Sequence, residues 1–254
     1  MIGWLRRRRL ARRADELMPG QNEFTAICNA TRCLACLDHD ERTRLRQLTA
    51  EILASKEFHG AGGLEPGWDQ CLPVAMHAAL PVLELGLGCY RQFHTFILYE
   101  DEFEADFEDV DEAGVVHRGR DLRAGEAWHR GPVVLSLADV AQSGRGGGYH
   151  VVVHELAHQI DQLSGEADGG PPLPHTIDPG DWAATFSAAF GELETRIEAG
   201  EEPCMDPYAA ESPAEYFAVA SEYFFDCPKQ LAAAQPGVYR LLKALYRQDP
   251  LARS

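Results

Sequence analysis

The five residues His154-Glu155-Leu156-Ala157-His158 restrict what this chain can be more than any other stretch of it. They spell H-E-x-x-H, the zinc-peptidase signature. On an α-helix the two histidines lie about 40° apart in projection and about 6 Å apart along the axis. Their imidazoles can then converge on one ion, with Glu155 able to reach a water on that ion without being a ligand. Zinc lowers the pKa of such a water from about 15.7 to near 7, and an adjacent carboxylate can carry its proton to a leaving amine. Val151, Val152 and Val153 precede the motif and Leu156, Ala157 and Ile160 fall within its helix, so the segment reads as largely buried. Two histidines and a glutamate in such a helix need partners. A metal supplies one; the plain alternative is a pair of hydrogen-bonded core histidines.

The rest of the chain limits the setting. Its 254 residues suit one large domain or one and a half, and 45% hydrophobic content is enough for a sizeable core. No run of 18 apolar residues exists to span a membrane, and the start, Met1 to Leu5 and then Arg6 to Arg9, lacks the apolar stretch of a secretory signal. Seven cysteines without such a signal lead to the expectation of a reducing cytoplasm rather than a disulfide framework. A net charge of −17 argues against nucleic acid as a direct partner. Arg6 to Arg9, Arg12 and Arg13 run against that balance; a membrane surface or an acidic partner could engage them, but a solvated, mobile arm is the commoner reading.

Beyond a basic arm over residues 1–20, the pattern predicts a single domain over 21–254, helical through 21–92 and catalytic through 93–254. Cys33 and Cys36 form a C-x-x-C, which suits a redox pair or half a zinc site. No second ligand pair follows at fitting spacing, so small apolar thiols packed ahead of a helix are the simpler account. Asp38 or Asp40 caps a helix with Leu45, Leu48, Ile52 and Leu53 on one face, expected to end near Gly60. Residues 71–88 are apolar at helical spacing, with Pro73 and Pro81 expected at breaks or first turns. Residues 94–99 read as a strand, 100–112 as a charged, solvated segment, and 115–118 as a short strand. Residues 133–137 read as another, whose leading Pro132 suits an edge or a strand start. The four glycines of 144–148 suggest a loop able to flex near the cleft; without a following Lys-Ser/Thr they are no phosphate cradle. A helix is expected over 182–199.

A catalytic zinc takes three protein ligands and keeps one open position. Asp161 and Ser164 stand where a metzincin would carry glycine and histidine, so the third ligand comes from elsewhere. His175 and Asp178 lie in a proline-flanked loop, and Glu192 and Glu194 are ordinary surface positions of a helix. Glu215 is the better candidate. Ser212-Pro213 starts a helix that Tyr216, Phe217, Val219, Tyr223 and Phe224 make largely apolar, and Glu215 and Glu222, seven residues apart, share one side of it. Two carboxylates there need a strong partner. Ser212-x-x-Glu215 is equally a capping box, and the pattern alone leaves ligand and cap even.

His154-Glu155-x-x-His158-x-x-Asp161, Tyr208-Ala209-Ala210 and Pro213-Ala214-Glu215-x-Phe217-Ala218-Val219-x-Ser221-Glu222-Tyr223-Phe224-Phe225 together resemble the Mlc titration factor A peptidases. Leu80-Pro81-Val82-Leu83-Glu84-Leu85-Gly86-Leu87 and Gly131-Pro132-Val133-Val134-Leu135 are similar to that family too, so the likeness runs from about residue 70 to the C-terminus. The resemblance implies an α+β, zincin-like (gluzincin) domain, similar to the catalytic domain of anthrax lethal factor, with a small mixed sheet and an active-site helix. It implies one Zn2+ per chain held by His154, His158 and Glu215, with Glu155 as general base and Tyr208 as transition-state stabiliser. By spacing, Asp161 and Glu222 can each face the other ring nitrogen of a histidine ligand and orient it, or form plain helix salt bridges.

The function expected from this is a zinc metallopeptidase acting on peptides or unfolded protein segments, with aminopeptidase action suggested by the resemblance. The edge strand expected at 133–137 could bind an extended substrate by strand addition. The alternative is a regulatory protein that sequesters a Mlc-like, glucose-regulated transcription repressor, with peptidase activity secondary. A purely structural zinc domain would leave Glu155 and Tyr208 without a use.

Overall fold

The computed structural model describes residues 18–101, 103–110, 116–123, 125–127 and 131–253. The basic arm from Arg6 to Arg13 lies outside the described residues. The first half of the chain is α1 (Gln21–Ala30), α2 (Arg32–Ala35), α3 (His39–Ser55), β1 (Glu57–Gly60), α4 (Trp68–Ala79), β2 (Thr95–Tyr99), β3 (Phe103–Val110) and β4 (Val116–Arg123). There follow β5 (Gly125–Ala127), β6 (Val133–Ser136), α5 (Leu137–Gln142), α6 (Val151–Asp161), α7 (Pro179–Glu198), α8 (Pro213–Asp226), α9 (Pro228–Ala234) and α10 (Pro236–Tyr246). The result is an α+β domain in which helices pack on a small mixed sheet of order β1-β2-β6-β5. β1, β2 and β6 run parallel and β5 antiparallel.

Local chemistry sets several of these boundaries. Asp38 caps α3 through a full capping box: its side chain accepts from Glu41 N–H at 2.8 Å, and Glu41 accepts from Asp38 N–H at 3.0 Å. Leu45, Leu48 and Ile52 are its buried face. The helix stops at Ser55 instead of near Gly60, because Lys56 turns extended and donates its ammonium to the carbonyls of Tyr90 and Phe93. The residues after it pair with β2, and Phe58 stacks on Phe96 at 5.0 Å. Pro73, expected at a break or in a first turn, sits inside α4. An interior proline costs about 3 kcal/mol in an isolated helix; here Leu72, Val74, Ala75 and Met76 around it are buried, and that burial offsets the loss.

Two strand expectations also change. The acidic segment forms a strand over Phe103–Val110, where β3 pairs antiparallel with β4 in a register that sets Asp106 opposite Arg120 and Glu108 opposite Arg118. The partner strand lies a few residues further on, and an acidic run considered alone hides that. β6 is not an edge strand: it lies between β2 and β5, and all four of its residues are buried. Pro132 marks its start rather than an edge.

The core gathers around α8, where every residue from Tyr216 to Asp226 is buried. Phe224 stacks on Tyr246 of α10 at 5.6 Å, and Trp182 and Phe186 of α7 stack at 4.1 Å beside Phe217. Two hydroxyls inside this core are matched in a chain, since a buried hydroxyl without a partner is costly. Tyr246 Oη donates to Ser221 Oγ at 2.9 Å, and Ser221 Oγ donates to the Phe217 carbonyl. No helix among the described residues is long and apolar enough to cross a membrane.

Candidate metal centre

α6 and α8 pack side by side, and the residues between them step in opposite senses along the two helices. Gly169, beyond α6, meets Pro213; His154 and His158 meet Glu215; His150 meets Glu222; and Gly148 meets Tyr223 and Asp226. The helices are therefore antiparallel, which brings the first turn of α8 against the middle of α6.

The entry to α6 is built from several small parts. Ser143 Oγ accepts from Val151 N–H at 3.0 Å, and His150, the N-cap, accepts from Val153 N–H through Nδ1 at 3.2 Å. The glycine loop before it, expected to flex, is pinned by the two oxygens of Asp226, which accept from Gly146 and Gly148 N–H, each at 2.7 Å. Gly148 lies at φ +80°, and a Cβ there would stand 2.5 Å from the Tyr223 ring. Gly148→Ala should therefore lower the unfolding free energy by about 1–3 kcal/mol. Urea denaturation checks this; an unchanged midpoint would mean that the loop is loosely held.

His154 Nε2 and His158 Nε2 stand 3.2 Å apart, and Glu215 Oε2 lies 3.0 Å from the first and 3.3 Å from the second. All three side chains are largely buried, between 12% and 20% exposed. Ser212 Oγ accepts from Glu215 N–H at 3.1 Å, so the helix is capped by Ser212 while the Glu215 carboxylate is directed at the imidazoles. Glu222 Oε1 sits 2.8 Å from His154 Nδ1, and its other oxygen accepts from His150 N–H. Burial disfavours a charged imidazole at His154, yet the Glu215 and Glu222 carboxylates outweigh it and hold the ring well above the usual histidine range. Against its own desolvation, Glu215 is held well below the usual carboxylate range by the two imidazoles. This point of the molecule favours positive charge.

Glu155 is buried on the same helix. Tyr208 stands in a short turn, Pro207–Ala210, whose start Asp206 caps; its ring is 6.0 Å from that of His154, and it is exposed to solvent. Asp161, expected by spacing to face an imidazole, makes no hydrogen bond to one among the described residues. Its Oδ2 accepts from Gly169 N–H at 2.7 Å and its Oδ1 has no hydrogen-bond partner among the described residues, so it tethers the loop after α6. Burial raises its carboxyl to about 6. Sequence reasoning missed His150 and Asp226. The glycine pattern was the available signal for Asp226, because a run of free backbone N–H groups needs an acceptor.

Two imidazoles on one helix and a carboxylate from the helix packed against it, set in an α+β domain, are a donor set of the metallopeptidase class. Residues 2–247 match the family described as Glucose-regulated metallo-peptidase M90, and the chain belongs to that family. It is 40% identical over 223 residues to Mlc titration factor A of Serratia proteamaculans (strain 568), covering 87% of this chain and 85% of that protein. The protein of the same name from Klebsiella pneumoniae subsp. pneumoniae is 38% identical over 222 residues (87% and 84%), and that of Escherichia coli O1:K1 is 35% identical over the same length and shares.

Proposed function

We propose that this protein is a zinc-dependent peptidase, with His154, His158 and Glu215 holding one ion. One observation carries the reading. Glu215 Oε2 is buried 3.0 and 3.3 Å from two imidazole nitrogens, neither of which is aligned to donate to it, and a buried carboxylate oxygen without an aligned donor is costly. A cation shared by all three donors removes that cost. Bonds of about 2.1 Å at the tetrahedral angle put donors about 3.4 Å apart, close to the separations found here. When bound, zinc polarises the scissile carbonyl and brings the pKa of water towards 7.

The residues of the chain do the rest. Glu222 accepts the Nδ1 proton of His154 and so aims the Nε2 lone pair at the centre. Glu155 takes the proton of the attacking water and delivers it to the departing amine. The Tyr208 hydroxyl donates to the oxygen of the scissile carbonyl as negative charge grows there. An extended peptide adds as a further strand to β5, which with β1 is outermost in the sheet among the described residues and packs on α6. Aminopeptidase action on short peptides belongs to this reading, as does a cytoplasmic location.

The test is zinc content measured alongside hydrolysis of a panel of aminoacyl and internally quenched peptides. About one equivalent of zinc at this centre and turnover that a chelator abolishes and zinc restores are expected. Turnover that survives full removal of metal would sink the proposal. A second reading draws on the relatives' name: a protein that titrates Mlc binds a transcription repressor, and this chain would do the same to a Mlc-like partner, with hydrolysis secondary.

A further inference from the structure

Cys33, His77 and His150 form a second cluster of potential ligands, and the peptidase reading uses none of the three as a ligand. They belong to α2, α4 and the N-cap of α6, segments far apart in the chain. All are buried, and the Cys33 sulfur and one nitrogen of each ring lie within 4.8 Å of one another. His77 Nδ1 and His150 Nε2 are 2.9 Å apart, with the rings edge-on at 79°. Gly144, at φ +72°, lets the thiol approach: a Cβ there would stand 2.5 Å from Cys33 Sγ and 3.4 Å from His150 Cδ2. The sulfur therefore sits beside the edge of the ring that carries Nε2.

We propose that Cys33, His77 and His150 form a second metal site, which takes a thiophilic divalent cation, zinc by preference. One thiolate and two imidazoles are a borderline-soft donor set that suits zinc and leaves no oxygen ligand for magnesium or calcium. Zinc over one thiolate leaves one positive charge in a buried place. Asp226, which accepts from Gly146 and Gly148 in the same loop as Gly144, supplies the balancing negative charge. Loading sends the Cys33 thiol proton to solvent. In the metal-free pair, His150 Nδ1 accepts from Val153 N–H, so the proton between the rings is on His150 Nε2. That proton moves to Nδ1 when the ion takes its place, and the 3.2 Å contact with Val153 is given up. Occupancy is thereby coupled to the first turn of α6, four residues ahead of His154.

Cobalt(II) titration of the full-length, zinc-stripped protein tests this, because a thiolate ligand gives a near-ultraviolet sulfur-to-cobalt charge-transfer band that a site of nitrogen and oxygen donors does not. The wild type should bind two equivalents and show the band. Cys33→Ser should bind one and lose the band, while Glu215→Ala should keep it. His77→Gln, measured in the same way, serves if Cys33→Ser fails to fold. A wild type without the band overturns the second site, and so does a band that persists in a folded Cys33→Ser protein. Retention of both equivalents by Glu215→Ala would count against the peptidase centre alone, so the two proposals fail separately.

Discussion

Glu155→Gln should keep its metal and its fold and lose peptide hydrolysis, with kcat lower by roughly 10²–10⁴-fold, the range that general acid–base catalysis contributes. The amide is nearly isosteric with the carboxylate, and Glu155 is buried on a helix whose start is held independently by Ser143. Packing therefore changes little. What disappears is the ability to accept a proton from water and release it to the amine. Because Glu155 is no ligand in this scheme, metal content should match the wild type. Full activity in a folded, metal-loaded Glu155→Gln would rule out the assigned base. The same variant separates the two readings of function: if capture of a Mlc-like repressor is independent of hydrolysis, a pull-down with Glu155→Gln should retain as much repressor as the wild type.

Legibility in the sequence follows the range of the interactions involved. The metal helix, the α8 stretch and the strand at Thr95–Tyr99 carry their own periodicity, and each forms close to where the pattern puts it. Features decided by distant partners are less legible. Lys56 ends α3 by reaching carbonyls more than thirty residues away, so the pattern alone makes the helix longer than it is. Whether β6 is an edge depends on β5, a three-residue strand with almost no signal of its own. Ser212-x-x-Glu215 fits a cap and a ligand equally, and only the antiparallel packing of α6 and α8 shows which way the Glu215 carboxylate points. Asp161 has the spacing of an orienting residue, but a backbone amide eight residues on engages it instead. Cys33 and Cys36 invite a joint reading because they are neighbours in sequence, whereas the groups that meet the Cys33 sulfur are 44 and 117 positions further along the chain.

Glu215→Ala should fold, because Ser212 still caps α8 and the aromatic face of that helix is untouched, but it should lose zinc at the His154–His158 centre. Loss of an outer partner of a metal ligand typically costs 10–100-fold in affinity, and loss of a ligand itself should exceed that, on the order of 10²-fold or more. The thermal readout is separate from catalysis. A metal that binds only the folded state adds about 2.7 kcal/mol at a free concentration 100 times its Kd, so zinc should raise the wild-type melting temperature by several degrees. In Glu215→Ala the increment due to this centre should vanish at the same zinc concentration, and peptide turnover should fall to background. Placing both variants on a Cys33→Ser background removes any contribution from the second site. If Glu215→Ala on that background still gains the full zinc-dependent shift, the carboxylate 3.0 Å from His154 is a neighbour of the metal and not its ligand. The pairing of α6 with α8 would then have to be explained by the histidine–glutamate contacts alone.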